Sequence, residues 1–239
     1  KKAGRIAAEG LCCVTLKDDK TAAVVEVNSE TDFVAKNDEF KTLASNMAKH
    51  VAELNPADVD ALMAATCPSC GKIIADALKE KIASIGEKIT VRRFVRYEGA
   101  VATYIHNGKI GVLLNTDKED KELMNDICLH IASSAPKFVS RAEIPQSEID
   151  EETRIEMGKE DLLKKPENIR AKIVEGRVNK LMAERCLLEQ PFVKDPNQTI
   201  AQLIEGKLTI KSFTRYELGE GLEKRQDNFA EEVMAQVKG

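Results

Sequence analysis

The sequence predicts an α+β fold. It should have two homologous lobes, each a small antiparallel sheet with packed helices, and an antiparallel helical hairpin (coiled coil) inserted in the second. Three observations predict it. Strand and helix patterns follow in the same order in both halves of the 239 residues. Residues 89–98, Ile-Thr-Val-Arg-Arg-Phe-Val-Arg-Tyr-Glu, align with 208–217, Leu-Thr-Ile-Lys-Ser-Phe-Thr-Arg-Tyr-Glu, identical at five of ten positions. His50-Val51-Ala52 likewise answers His130-Ile131-Ala132. The strand repeat is offset by 119 residues and the helix repeat by 80, so the second copy carries 39 extra residues between its helix and its last strand. A duplicated unit with an insertion follows.

In the first copy, residues 11–16 and 21–27 are apolar strand runs joined by the turn Lys17-Asp18-Asp19-Lys20. A helix comes next, because Phe40, Leu43, Ala44, Met47, Ala48 and Val51 form one apolar stripe at helical spacing. Asn37 or Asp38 is its N-cap, and Pro56 ends the element. A second helix is expected over 72–85, with Ile74, Leu78, Ile82 and Ile85 on one face and Gly86 as its stop. Residues 89–97 form the third strand. In the second copy, strands over 100–106 and 109–115 meet at Asn107-Gly108, a pair suited to a turn that needs two positive φ angles. A helix over 118–133 carries Leu123, Ile127 and Ile131 in register. A short helix near 200–204 and a strand over 208–216 complete the copy.

The insertion is placed at 145–190. Val174, Val178, Leu181 and Leu188 give a heptad-like seam, and Lys164-Lys165-Pro166 reads as the turn of a projecting helical hairpin. Two ordinary helices folded back on the core are the alternative. In the tail, Phe229, Val233 and Val237 make a stripe too short to stand alone, so it needs a surface on this chain or on a partner. The expected organisation is a first lobe at 1–98, a second lobe at 99–144 and 191–221, the hairpin at 145–190 and a C-terminal helical module at 222–239.

Lys and Arg total 36 against 40 Asp and Glu, a net charge of −4. That balance lacks the basic field of a nucleic-acid wrapper. No apolar run of about 18 residues is present, so no membrane span is expected, and no signal peptide is visible. The chain begins at Lys1 rather than Met, which points to sequence upstream. Six scattered cysteines suit a reducing compartment. Cys67-Pro68-Ser69-Cys70 is half of a zinc site, a redox pair, or a loop with two incidental thiols, the last favoured because the other half of a metal site is missing. No phosphate-binding, dinucleotide, nucleophile-elbow or metalloprotease motif occurs, so neither an active site, a cofactor nor a metal is expected. His50 and His130 fall beside apolar stripes and read as structural. His106 ends a strand at a hairpin tip, where packing and contact roles are both open.

Between the second strand and the first long helix lies Asn28-Ser29-Glu30-Thr31-Asp32-Phe33-Val34-Ala35-Lys36-Asn37. A connection of this kind rarely exposes an aromatic ring. Phe33 therefore either tucks into its own core, with Asp32 capping a turn, or meets a partner. Thr-Asp-Phe-Val-Ala-Lys-Asn, preceded by Glu-Val-Asn, resembles the signature of translation elongation factor Ts. Ile85-Gly86-Glu87-Lys88-Ile89 with Arg92-Arg93, Gly4-Arg5-Ile6-Ala7-Ala8-Glu9-Gly10, Gly111-Val112-Leu113, Glu175-Gly176-Arg177, Gln190-Pro191-Phe192-Val193 and Glu217-Leu218-Gly219-Glu220-Gly221 are similar to the same family, in family order, over nearly the whole chain.

The resemblance implies a cytoplasmic, bacterial-type guanine-nucleotide exchange factor that binds elongation factor Tu and is not an enzyme in its own right. It implies that Asp32 and Phe33, with Thr31 and Val34 around them, enter the partner's G domain, and that Phe33 wedges helices apart and disturbs the partner's magnesium and phosphate contacts. By the same resemblance Ile85 and Gly86 belong to the contact surface, His106 faces another domain of the partner, and Phe229, Val233 and Val237 grip the G domain. Self-association through the helical hairpin is also implied. Direct binding of nucleotide, nucleic acid or membrane is not expected. Family members begin with a three-helix domain that binds the partner's G domain; this sequence lacks it, and residue 1 falls where the linker after that domain would be.

Overall fold

Two tight turns set the sheets. Asp18 and Asp19 take φ of 52° and 56° and fold Glu9–Lys17 (β1) back on Thr21–Ser29 (β2). Asn107 and Gly108, at 51° and 68°, do the same for Ala100–His106 (β4) and Ile110–Thr116 (β5). Thr90–Glu98 (β3) adds to β2, and Ile210–Glu217 (β8) adds to β5, giving two three-stranded antiparallel sheets of order β1-β2-β3 and β4-β5-β8. The structure, a computed structural model, describes residues 4–224.

β2 is buried along almost its whole length because it is covered twice. Ala23, Val25 and Val27 face Asp38–Leu54 (α2), whose stripe of Phe40, Leu43, Ala44, Met47, Ala48 and Val51 is buried against them. Ala22 and Val24 face the other sheet and pack on Val101 and Leu113. Lys121–Ser134 (α5) covers the far side of the second sheet, with Met124, Ile127, Cys128 and Ile131 against Val112 and Leu114. The order of layers is helix, sheet, sheet, helix. Both sheets carry a register shift on their central strand, at Glu26/Val27 and at Asn115/Thr116. Arg96 Nε donates to Ala52 O at 3.0 Å, and Arg215 Nε to Ala132 O at 3.2 Å.

Several elements differ from expectation. Residues 32–36, read as part of a connection, form a one-turn helix, Asp32–Lys36 (α1), capped by Thr31. Val59–Ala64 (α3) was not expected; a six-residue helix is too short to display a period, and it is anchored by Leu62, fully buried in the core, with Val59 and Met63 packed beside it. The next helix starts at Ile74 rather than at 72, because Ile73 pairs with Thr66 in an antiparallel bridge and holds that stretch extended; it runs Ile74–Ile85 (α4). α5 starts at Lys121 because Asp120 Oδ1 accepts the Leu123 N–H at 3.1 Å.

The segment expected to be an insertion contains Gln146–Met157 (α6), Glu160–Leu163 (α7) and Glu167–Arg185 (α8). α7 takes the place of a simple turn because Leu162 is drawn fully under Val174 and Val178. α6 and α8 run antiparallel: Arg185 pairs with Glu148 and Glu152, while Arg177 pairs with Glu156 and Asp161. Their cluster of Ile144, Leu162, Val174, Val178, Met182 and Cys186 includes no residue of either sheet. Of the expected seam, Leu188 lies beyond α8 and packs on the α5 core instead. Pro191–Phe192 (β6) and Asp195–Thr199 (β7) form a small hairpin that was not foreseen, since two residues cannot show alternation. Ile200–Ile204 (α9) follows under a Thr199/Gln202 capping box.

Candidate functional site

The stretch from β2 to α2 is held by a carboxylate that follows α4. Gly86, at φ 87°, closes α4 in the left-handed region that only glycine occupies without strain. That turn aims Glu87 back at the connection. Glu87 accepts the backbone N–H groups of Glu30 and Thr31, both at 3.1 Å, and the Thr31 hydroxyl at 2.6 Å. Glu30 returns the arrangement by accepting the Lys88 N–H at 2.6 Å, with Arg5 alongside at 3.3 Å. The Thr31 oxygen also accepts the Val34 N–H at 3.4 Å, which caps α1.

α1 is thereby fixed at its start, and Asn37 fixes its end by capping α2 through the N–H groups of Glu39 and Phe40. One helical turn cannot bury all its residues. Ala35 goes inward, Val34 is half-buried on the core, and Phe33 is left 78% exposed. Asp32 is also exposed and pairs with Lys36 at 2.8 Å, whose ammonium lies 5.7 Å from the centre of the Phe33 ring. The Lys36 hydrogen bond holds the Asp32 carboxyl below its ordinary range, and Lys109 across the cleft adds to this. The site offers an apolar ring beside a fixed carboxylate.

Thr31, Asp32, Phe33, Val34 and Gly86 come together here. Ile85 is half-buried against the first core and is not displayed. His106 is on the second sheet, exposed, with its ring stacked on Tyr104 at 6.4 Å. Phe33 and His106 border neighbouring clefts of about 220 and 380 Å³ that share Ala8, Glu9 and Lys224. The two sheets therefore present both groups on one edge, where the Cys12 N–H binds Gly108 O at 2.7 Å. Phe229, Val233 and Val237 lie outside the described residues.

A second carboxylate, which sequence reasoning did not single out as a site residue, ties that edge together. Glu26 is fully buried. It accepts from Arg93 Nε at 2.6 Å, Arg92 Nη1 at 3.2 Å, Asn28 Nδ2 at 3.1 Å and the Gly219 N–H at 2.8 Å. Burial works against its charge, but the Gly219, Asn28 and Arg93 bonds outweigh that and lower its pKa. Arg93 also lies 4.1 Å over the Tyr216 ring, and Arg92 reaches Glu220 O. Glu87 and Glu26 both occur in motifs quoted for the family resemblance; their roles depend on partners far away in sequence.

Comparison with known proteins fits this arrangement. The family model described as Elongation factor TS matches residues 30–220. Elongation factor Ts of Alkalilimnicola ehrlichii is 46% identical across the whole chain, which covers 83% of that protein. The Thioalkalivibrio sulfidiphilus and Halorhodospira halophila proteins of the same name are 47% and 43% identical, again over the whole chain and 83% and 82% of their own lengths. This chain, with its Glu87-held Thr31-Asp32-Phe33 turn, belongs to the elongation factor Ts family of translation elongation factors.

Proposed function

We propose that this chain is a guanine-nucleotide exchange factor for elongation factor Tu. The observation that carries the reading is Phe33, left 78% exposed on a helical turn pinned by Glu87 and Asn37. Exposing a phenylalanine costs free energy unless another surface covers it. The factor would work by linkage: a protein that binds the empty GTPase better than the loaded one weakens nucleotide binding by the same factor. Phe33 inserted between helices of the G domain would move the groups that hold magnesium and the β-phosphate of GDP. Asp32 would orient the turn, and His106 on the same edge would meet a second part of the partner. No bond is made or broken by the factor, so it needs no active site of its own.

We also read the two sheet-and-helix halves as copies of one unit. The matched Arg96–Ala52 and Arg215–Ala132 bonds and the matched register shifts support this. The segment α6–α8 is read as an inserted coiled-coil arm with a core of its own, and as the place where copies of the chain would associate. A cytoplasmic location fits the partner, and no described helix is long and apolar enough to cross a membrane. The test is release of fluorescent GDP from elongation factor Tu. Release should accelerate in proportion to added chain; an unchanged rate in the presence of folded chain overturns the proposal.

A further inference from the structure

The loop between α3 and α4 brings two sulfur atoms together on the far side of α2. The Cys67 N–H binds Lys72 O at 2.7 Å, and the Gly71 N–H binds Cys67 O at 2.9 Å, so residues 67–72 close on themselves above the Thr66–Ile73 bridge. Within this turn the Cys70 N–H donates to Cys67 Sγ at 3.3 Å. A tight turn keeps its first and fourth Cα atoms within about 7 Å, inside the reach of a disulfide.

The two thiols differ. Cys67 is buried and Cys70 is exposed, while the other four cysteines are buried or half-buried. Cys67 Sγ also meets Ser69 Oγ at 3.3 Å and His50 Nε2 at 3.7 Å. The matching histidine in the second half is fully occupied elsewhere: His130 Nε2 meets Gln190 Oε1 at 2.8 Å and its Nδ1 accepts the Val193 N–H. Burial resists ionisation of Cys67, but the Cys70 and Ser69 donors outweigh it and bring its pKa down to about 7, whereas burial pushes Cys12 and Cys128 up to about 12. Both sulfurs line a cleft of about 550 Å³ between α2 and α4, room for a small bound thiol. Among the described residues no group of three or more His, Cys, Asp or Glu side chains is placed to hold a metal ion.

We propose that Cys67 and Cys70 are a thiol–disulfide pair that exchanges with small organic disulfides, Cys70 as the accessible thiol and Cys67 as the resolving one. In the first step Cys70 sulfur attacks a disulfide R–S–S–R, forming Cys70–S–S–R and releasing RSH with the Cys70 proton. In the second, Cys67 sulfur attacks Cys70 sulfur, forms the Cys67–Cys70 bond and expels a second RSH with its proton. Two protein thiols are oxidised and one organic disulfide is reduced. The Cys70 N–H and the Ser69 hydroxyl, which still face Cys67 Sγ once Cys70 is a mixed disulfide, favour the second step. This pairing does not depend on the exchange-factor reading.

The experiment equilibrates the full chain, without oxygen, in graded mixtures of reduced and oxidised glutathione, followed by acid quench, alkylation and peptide mass spectrometry. The expected result is a peptide spanning 67–70 lighter by two hydrogens, restored by reduced glutathione, with the other four cysteines alkylated after unfolding. Cys67→Ser should stop at a glutathione adduct on Cys70, and Cys70→Ser should take up no glutathione at Cys67. The proposal is overturned if the unaltered chain keeps glutathione on Cys70 without closing, if both thiols persist at the most oxidising ratio, or if Cys70→Ser is modified at Cys67 as readily as the unaltered chain is at Cys70.

Discussion

Replacing Phe33 by alanine separates a displayed ring from a packed one. Phe33 is 78% exposed, so only about a fifth of its surface is covered. Full burial of such a side chain is worth roughly 1.5–3 kcal/mol, which makes the covered fifth worth about 0.3–0.6 kcal/mol. The ammonium of Lys36 over the ring adds about 0.5 kcal/mol at an exposed site. Alanine returns about 0.5 kcal/mol through its better helix propensity within α1. The net change lies within about 0.5 kcal/mol, a shift of about 2 °C or less in Tm for a chain of this size. Phe40, fully buried seven residues later, is the control: Phe40→Ala should cost about 3–5 kcal/mol. In stopped-flow release of labelled GDP from elongation factor Tu, Phe33→Ala should lower the stimulated rate by about tenfold or more, roughly 1.4 kcal/mol of barrier. Its affinity for the nucleotide-free partner should fall less, because the remaining interface persists. If Phe33→Ala melts like Phe40→Ala, or if exchange per folded molecule is unchanged, the ring is a packing residue and the reasoning fails.

Glu26→Gln should destabilise the fold by about 3 kcal/mol, read as a lower urea midpoint, because Arg92 and Arg93 lose their shared carboxylate while Gly219 keeps a weaker acceptor. The folded pKa of Glu26 lies below its unfolded value, so its contribution is complete above about pH 4.3 and is lost as pH falls through the folded value; Glu26→Gln should flatten that acid limb of the stability profile. Glu87→Ala removes the acceptor of two backbone N–H groups and one hydroxyl, so the amides of Glu30 and Thr31 should exchange with deuterium about tenfold faster, and GDP release should slow although Phe33 is retained. Met182→Ala, at a site 1% exposed in the α6–α8 cluster, should cost about 2–5 kcal/mol in chemical denaturation and leave GDP release by the folded fraction unchanged.

The long elements were legible because their signals are local. The α2 stripe repeats over about three turns from Phe40 to Val51, and Asn107-Gly108 specifies its own turn whatever surrounds it. The repeat between 89–98 and 208–217 was visible as letters, and β3 and β8 occupy the same edge of their respective sheets. Short elements were not legible. α3 and the β6–β7 hairpin are each held by one or two buried side chains, Leu62 and Phe192, rather than by a period. Phe33 stood out in the sequence as an aromatic in a connection, but the local pattern favoured burial in its own core, and only the family resemblance pointed to a displayed ring. Only the placement of Ala35 inward and Thr31 under Glu87 turns the ring out.

By itself the sequence determined the order of the long strands and helices, the two hairpin turns, the helical character of residues 146–185 and the membership in one family, since each rests on residues close together or on letters compared directly. The tertiary structure decided the rest. It stacked the two sheets so that Ala22 and Val24 meet Val101 and Leu113, brought Phe33 and His106 to one edge, set Glu26 between Arg93 and Gly219, and laid Cys67 against His50. These contacts join residues from 17 to 193 positions apart in the cases of Cys67–His50 and Glu26–Gly219. A buried carboxylate or thiol is stable only when its donors arrive together, and that is settled by how the layers pack, not by the spacing of residues along the chain.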